Sequence, residues 1–187
     1  MLLNHAQQII RIFPKTKKLL TKERLKSKAH RFVENAKQLI LHGVQTVSVT
    51  DFFYCAEKKA YVLLYDLLPG HDMHTLIQQS DIDPLPAFAK FLSKLHLLGI
   101  FFRSLHLDNI ILTEHDEFAL IDIADVRIKH RSLSISERAR NIKYLFSYQG
   151  DQEFLKKYGY QRFLQYYLAE ADCLSKWEKC VFLFKMR

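Results

Sequence analysis

Residues 99–127 read GIFFRSLHLDNIILTEHDEFALIDIADVR, and this is the one stretch where polar residues are packed tightly between short apolar runs. Residues 110–112 and 118–121 are apolar, and residues 113–117 supply a polar connection, so the pattern predicts a two-stranded hairpin. Such a hairpin sets Asn109, before the first strand, close to Asp122, after the second. One amide oxygen and one carboxylate on adjacent strand ends can share a hard cation such as Mg²⁺, which takes oxygen ligands in octahedral geometry. Asn109 and Asp122 are therefore the candidate metal ligands.

Composition bounds what surrounds this stretch. A chain of 187 residues, 49% of them hydrophobic, builds one core or a compact two-lobed body rather than two full domains. The formal charge of +8 is localised: nine Lys or Arg lie within residues 11–31 against the single acid Glu23. A basic face of this kind suits phosphate-rich partners, namely an anionic membrane surface, a phosphorylated glycolipid or nucleic acid. Nucleic acid is disfavoured because no aromatic residues are interleaved with the basic ones. Cys55, Cys173 and Cys180 have no C-x-x-C spacing and read as buried small hydrophobes in a reducing compartment. No signal-peptide pattern and no apolar run of about 20 residues is present, so a cytoplasmic location is expected.

Outward from the central stretch, residues 8–13 form a strand candidate ended by Pro14. Residues 21–42 repeat Leu25, Ala29, Phe32, Ala36 and Leu39/Ile40 at helical spacing, with Gly43 as the cap. Residues 47–55 and 60–66 read as strands joined at 57–59, and Pro69-Gly70 marks a turn. A short helix is expected over 72–79. Asp83 then caps a longer one whose apolar face carries Phe88, Phe91, Leu92, Leu95 and Leu98 and which Gly99 ends. After Asp122, residues 127–133 read as a polar linker. Ser134 and Glu137 form a capping box opening a helix. Residues 160–184 read as an aromatic-rich helix or pair of helices, in which Phe163, Leu164, Tyr167, Leu168, Ala171, Leu174, Trp177 and Val181 fit helical spacing and read as core packing. His42, His96 and His115 show no metal-ligand spacing and read as structural or exposed.

The central stretch resembles the catalytic loop and metal segment of the protein-kinase-like superfamily. It is most similar to the small bacterial lipopolysaccharide-core sugar kinases and the related toluene tolerance proteins. Against H-R-D-L-x-x-x-N followed by D-F-G, this chain has Phe102-Arg103-Ser104-Leu105-His106-Leu107-Asp108-Asn109 and then Asp122-Ile123-Ala124. The run Glu137-Arg138-Ala139-Arg140-Asn141 adds to the likeness with the toluene tolerance group. The resemblance spans about residues 7–170 and is specific over 99–127.

The resemblance implies an α+β, protein-kinase-like two-lobed fold with a reduced N-terminal lobe. Its parts would be residues 1–66 with the basic helix, a hinge at 67–70, and a helical C-terminal lobe over 71–187. ATP and Mg²⁺ are the implied cofactors, with the backbone at Asp66 to Leu68 beside the adenine. His71 and His74 would lie near the nucleotide mouth. Arg11 stands where the resemblance places the phosphate-binding lysine, with Glu34 as its candidate acidic partner. Arg103 takes a structural role. No G-x-G-x-x-G occurs, and too few residues precede the first strand for the glycine-loop hairpin.

On the acceptor side Ser104 replaces the general-base Asp. Its hydroxyl can only orient, which leaves three alternatives: His106 as base, Asp108 as base, or no base. The implied activity is ATP-dependent phosphorylation of a sugar hydroxyl in the lipopolysaccharide inner core. The alternative is a pseudokinase that binds nucleotide or glycolipid and regulates a partner. In either case the basic segment 11–31 would face the core glycolipid or the anionic inner-membrane surface.

Overall fold

A computed structural model describes residues 2–3, 8–14, 27–79 and 83–187. A four-stranded antiparallel sheet is built from β1 (Leu2–Leu3), β2 (Gln8–Pro14), β4 (Val49–Cys55) and β5 (Ala60–Asp66), in the order β1-β2-β5-β4. Its central pairing runs from Gln8 opposite Asp66 to Pro14 opposite Ala60. Across one face lies α1 (Lys28–Leu41), opened by Ser27, whose hydroxyl accepts from the His30 N–H. The helix buries Ala29, Phe32, Ala36 and Leu39, as the spacing predicts, while Ile40 points to solvent. The part of the predicted helix before Ser27, and residues 15–26 of the basic segment, lie outside the described residues.

A second sheet carries the central stretch. Its order is β3-β9-β8-β6, with β3 at Gln45–Thr46, β6 at His71–Asp72, β8 at Ile110–Leu112 and β9 at Phe118–Leu120. The predicted hairpin is β8–β9, antiparallel, with Ile110 opposite Leu120. Between the sheets the chain runs through Leu67 to Gly70. Gly70 has φ 139°, and a Cβ there would stand 2.3 Å from the Leu112 carbonyl oxygen, so only glycine passes over β8 this closely.

The helices complete the core. α2 (Met73–Gln79) precedes α3 (Leu85–Leu97), whose first N–H donates to the Asp83 carboxylate at 3.0 Å. Phe88, Leu92 and Leu95 of α3 are fully buried or nearly so. Beyond them α4 (Ile135–Leu145), α5 (Asp151–Tyr158), α6 (Tyr160–Ala169) and α7 (Lys176–Met186) close the far side. The Ser134–Glu137 capping box is present.

Four sequence expectations are corrected. The polar linker over 127–133 begins as a strand, β10 (Val126–Ile128), which pairs antiparallel with β7 (Ile100–Phe102). Its apolar alternation is too short to detect without its partner. Of the two readings of 160–184 the pair of helices is the one observed, but its stripe is not buried throughout: α6 ends at Ala169, and a second capping box at Ser175 and Glu178 starts the next helix in a new phase. Phe182 therefore enters the core, and Trp177 is 72% exposed. Cys173 and Cys180 are exposed and Cys55 half-buried, because those positions lie off the buried faces. Glu34 does not partner Arg11, which pairs with Asp122 instead; Glu34 accepts from the Gln38 amide one turn on.

Candidate functional site: a cleft between the two sheets

A cavity of about 610 Å³ separates the sheets. β2 contributes Arg11, the post-β5 segment Leu67 and Leu68, the end of the 3₁₀ turn at Leu107–Asn109 contributes Asn109, and the residue after β9 contributes Asp122 through Ile121. The Asp66 side chain is exposed and accepts from the Gln8 side-chain amide at 3.3 Å.

Asp122 sits in the left-handed region, φ 51°, and opens a second 3₁₀ turn at Ile123–Asp125. That conformation is costly for a residue with a side chain. It turns the carboxylate toward β2, where its Oδ1 lies 2.8 Å from Arg11 Nη2. Arg11 also lies over the rings of Phe13 and Phe32, at 5.1 and 5.6 Å from their centroids. Burial opposes the guanidinium charge, but hydrogen bonding and attraction to Asp122 outweigh it, so Arg11 is held above its ordinary pKa.

Asn109 is fixed from below. Its Nδ2 donates to the Ser104 carbonyl and to His106 Nε2, both at 2.9 Å, and the amide oxygen remains as the acceptor. The Asn109 carbonyl also receives the Ile121 N–H at 3.0 Å, which ties the ligand candidates together through the hairpin. Asn109 Oδ1 and the Asp122 carboxylate are hard oxygen donors and fit Mg²⁺, which keeps several waters and takes few protein ligands. Among the described residues no group of three or more His, Cys, Asp or Glu gathers as a metal site, so phosphate oxygens and water would supply the remaining positions.

The acceptor-side candidates form a cluster. Because Nε2 of His106 accepts from Asn109, its proton belongs on Nδ1, 3.5 Å from Asp108 Oδ2. On the other side of Asp108, His74 Nε2 lies 3.6 Å from Oδ1. His74 in turn meets Asp151 Oδ1 at 3.2 Å, and that same oxygen receives the Leu107 N–H at 3.2 Å. Asp151 is almost wholly buried, Oδ2 has no partner among the described residues, and burial pushes its pKa up. Ser104 meets the cluster through its backbone carbonyl. Sequence reading missed Asp151, whose only signal is its place at the start of a helix.

A buried polar chain supports the loop from behind. Arg138 Nη1 donates to the Tyr167 oxygen at 3.0 Å, and the Tyr167 hydroxyl donates to His96 Nδ1 at 2.7 Å. His96 Nε2 then faces Asn141 Oδ1 at 3.3 Å. Asn141 closes the chain on Phe102, accepting its N–H at 3.2 Å and donating to its carbonyl at 2.6 Å. Burial, reinforced by the Arg138 charge, lowers the His96 pKa to about 3, and burial raises that of Tyr167 to about 12. Both are neutral, as this directional chain requires. Arg138 and Asn141 thus hold the strand that leads into Ser104–Asn109.

No protein-family model and no curated protein matches the sequence. Two small sheets face across a cleft, with helices behind the second, in a mixed α+β fold. Among solved structures the chain is similar to the medium-resolution structure of the bifunctional kinase-methyltransferase WbdD, with TM-score 0.52 and 12% identity over 96% of this chain and 45% of that one. It is also similar to the crystal structure of monomeric WbdD, with TM-score 0.50 and 15% identity over 96% of this chain and 42% of that one. The chain therefore spans less than half the length of these structures, and the likeness is one of fold.

Proposed function

We propose that the chain is an ATP-dependent phosphotransferase whose acceptor is a sugar hydroxyl of the lipopolysaccharide inner core. The observation that carries this reading is the convergence of Arg11, Asn109 and Asp122 on one cavity beside Leu67 and Leu68. Phosphoryl transfer through a loose transition state is mostly positioning and charge neutralisation, and these residues supply both. Arg11 holds phosphate oxygens once it leaves Asp122. Asn109 and Asp122 would hold Mg²⁺, whose charge would offset that developing on the phosphates. Apolar residues such as Ile111 and Ile121 line the same cavity and suit the faces of a purine. On the acceptor side, Asp108 between two imidazoles can align a hydroxyl, and His106 can act only after releasing Asn109.

The resemblance over residues 99–127 supports the sugar acceptor, and the basic segment 11–31 supports an anionic glycolipid or inner-membrane surface as partner. Two of the segment's described cations act within the fold: Arg11 pairs with Asp122, and Arg31 pairs with Asp125 at 3.5 Å. A second reading, a pseudokinase, is favoured by Ser104 at the base position. The deciding experiment is calorimetry with ATP and Mg²⁺, followed by turnover on a core-sugar acceptor. Absence of binding sinks both nucleotide readings. Binding without turnover selects the pseudokinase, and turnover abolished in Asp122→Asn establishes the enzyme.

A further inference from the structure

Helix α7 is apolar on two opposed faces. Phe182 and Met186, one turn apart, are buried in the core. At 3.6 residues per turn, Trp177, Cys180, Val181 and Phe184 fall on the opposite side, at i, i+3, i+4 and i+7. Trp177 is 72% and Phe184 76% exposed. Single exposed apolar residues are ordinary, but an aromatic stripe of this spacing on the outer face of a packed helix is not required by the fold.

The charges around the stripe narrow what it meets. Exposed Lys176 and Arg187 flank it on one side and exposed Lys185 on the other. The one acid of the helix, Glu178, is bound into the capping box with the Ser175 N–H and hydroxyl at 2.9 Å. An aromatic strip bordered on both sides by Lys and Arg is the arrangement of a helix that lies in the plane of a bilayer. The rings enter the headgroup boundary and the cations meet lipid phosphates. A protein groove would more often offer the stripe a dry pocket and leave the rim mixed in sign.

We propose that α7 is a membrane-surface contact that seats Trp177 and Phe184 in a bilayer rich in anionic phospholipid. This surface is separate from the segment 11–31, and the proposal stands whether or not the chain is a kinase.

Trp177 is the single tryptophan of the protein, so its own fluorescence reports the event. The full chain is titrated with vesicles of phosphatidylethanolamine and phosphatidylglycerol, and in parallel with phosphatidylcholine alone. The expected result is a blue shift of the emission with the anionic vesicles only, with quenching by brominated acyl chains. Phe184→Ser keeps the reporter and should weaken binding about tenfold or more, the scale of withdrawing one large side chain from an apolar contact. Trp177→Ser, followed by vesicle co-sedimentation, should do the same. Both positions are exposed, and circular dichroism checks that the fold persists. Unchanged emission with anionic vesicles overturns the proposal. So does a blue shift that appears with protein concentration alone, which would mark a second copy as the occupant. Vesicle binding of wild-type strength in both variants also overturns it, by assigning the contact to another surface.

Discussion

Arg11 Nη2 and Asp122 Oδ1 stand 2.8 Å apart within the cavity, so the cation suited to phosphate and the carboxylate suited to metal neutralise each other. On the proposed function, phosphate would offer Arg11 an opposite charge and Mg²⁺ would offer one to Asp122, so the pair would part when both bind. Asp122→Asn is expected to abolish the enhancement of nucleotide affinity by Mg²⁺ while leaving metal-free binding intact or stronger. Arg11→Ala should lower affinity about tenfold or more with or without metal, as loss of a charge-assisted contact does. Calorimetry in Mg²⁺ and in chelator measures both. An unchanged Mg²⁺ dependence in Asp122→Asn would remove that residue from the metal site.

Asp151 acts on the loop rather than in the cavity. Its Oδ1 receives the Leu107 N–H and faces His74, so Asp151→Ala leaves a buried N–H without its acceptor. The expected cost is about 1–3 kcal/mol of stability. On the proposed activity, turnover should fall more than nucleotide affinity, because the acceptor-side cluster is displaced while Arg11 and Asp122 stay in place. Equal loss in both, or loss in neither, contradicts this division.

The His96 chain predicts a pH dependence of stability. Burial lowers its folded pKa from 6.5 to about 3, so between those values the unfolded chain binds a proton that the folded chain refuses. Its contribution is fully present above pH 6.5 and is lost as pH falls below it, by about 1.4 kcal/mol per unit. Glu137, held well below the carboxylate range chiefly by its hydrogen bond from Arg131, loses its contribution only in the more acid window below its ordinary value of 4.5. Denaturant midpoints measured from pH 7 to pH 5 should therefore fall in the wild type and flatten in His96→Gln.

Gly99 sits at φ 77° after α3, and a Cβ there would stand 2.4 Å from the carbonyl oxygens of both Lys129 and Arg131. Gly99→Ala should cost at least about 2 kcal/mol, lowering Tm by about 5 °C in thermal unfolding. A smaller shift would mean that the segment after β10 yields easily.

Much of the fold was legible locally. The hairpin over 110–120, the strand 60–66, the stripe of α1 and the Ser134 cap follow from alternation, helical spacing and short-range hydrogen bonding, which neighbouring residues specify by themselves. The β7–β10 pair and the phase break before α7 were not legible from the stripe alone. The first depends on a partner strand 24 residues away, with Val126 opposite Phe102. The second depends on a cap, Ser175 with Glu178, which sets the phase of α7 against the core.

The sequence by itself determined that Asn109 and Asp122 flank one hairpin, because strand pairing across a short turn leaves their positions little freedom. Only the tertiary structure decided what meets them. Arg11 reaches Asp122 from another sheet, His74 reaches both Asp108 and Asp151, which lie on separate elements, and Trp177 faces outward. Each of these depends on how distant elements pack, and packing is a property of whole surfaces that no local pattern contains.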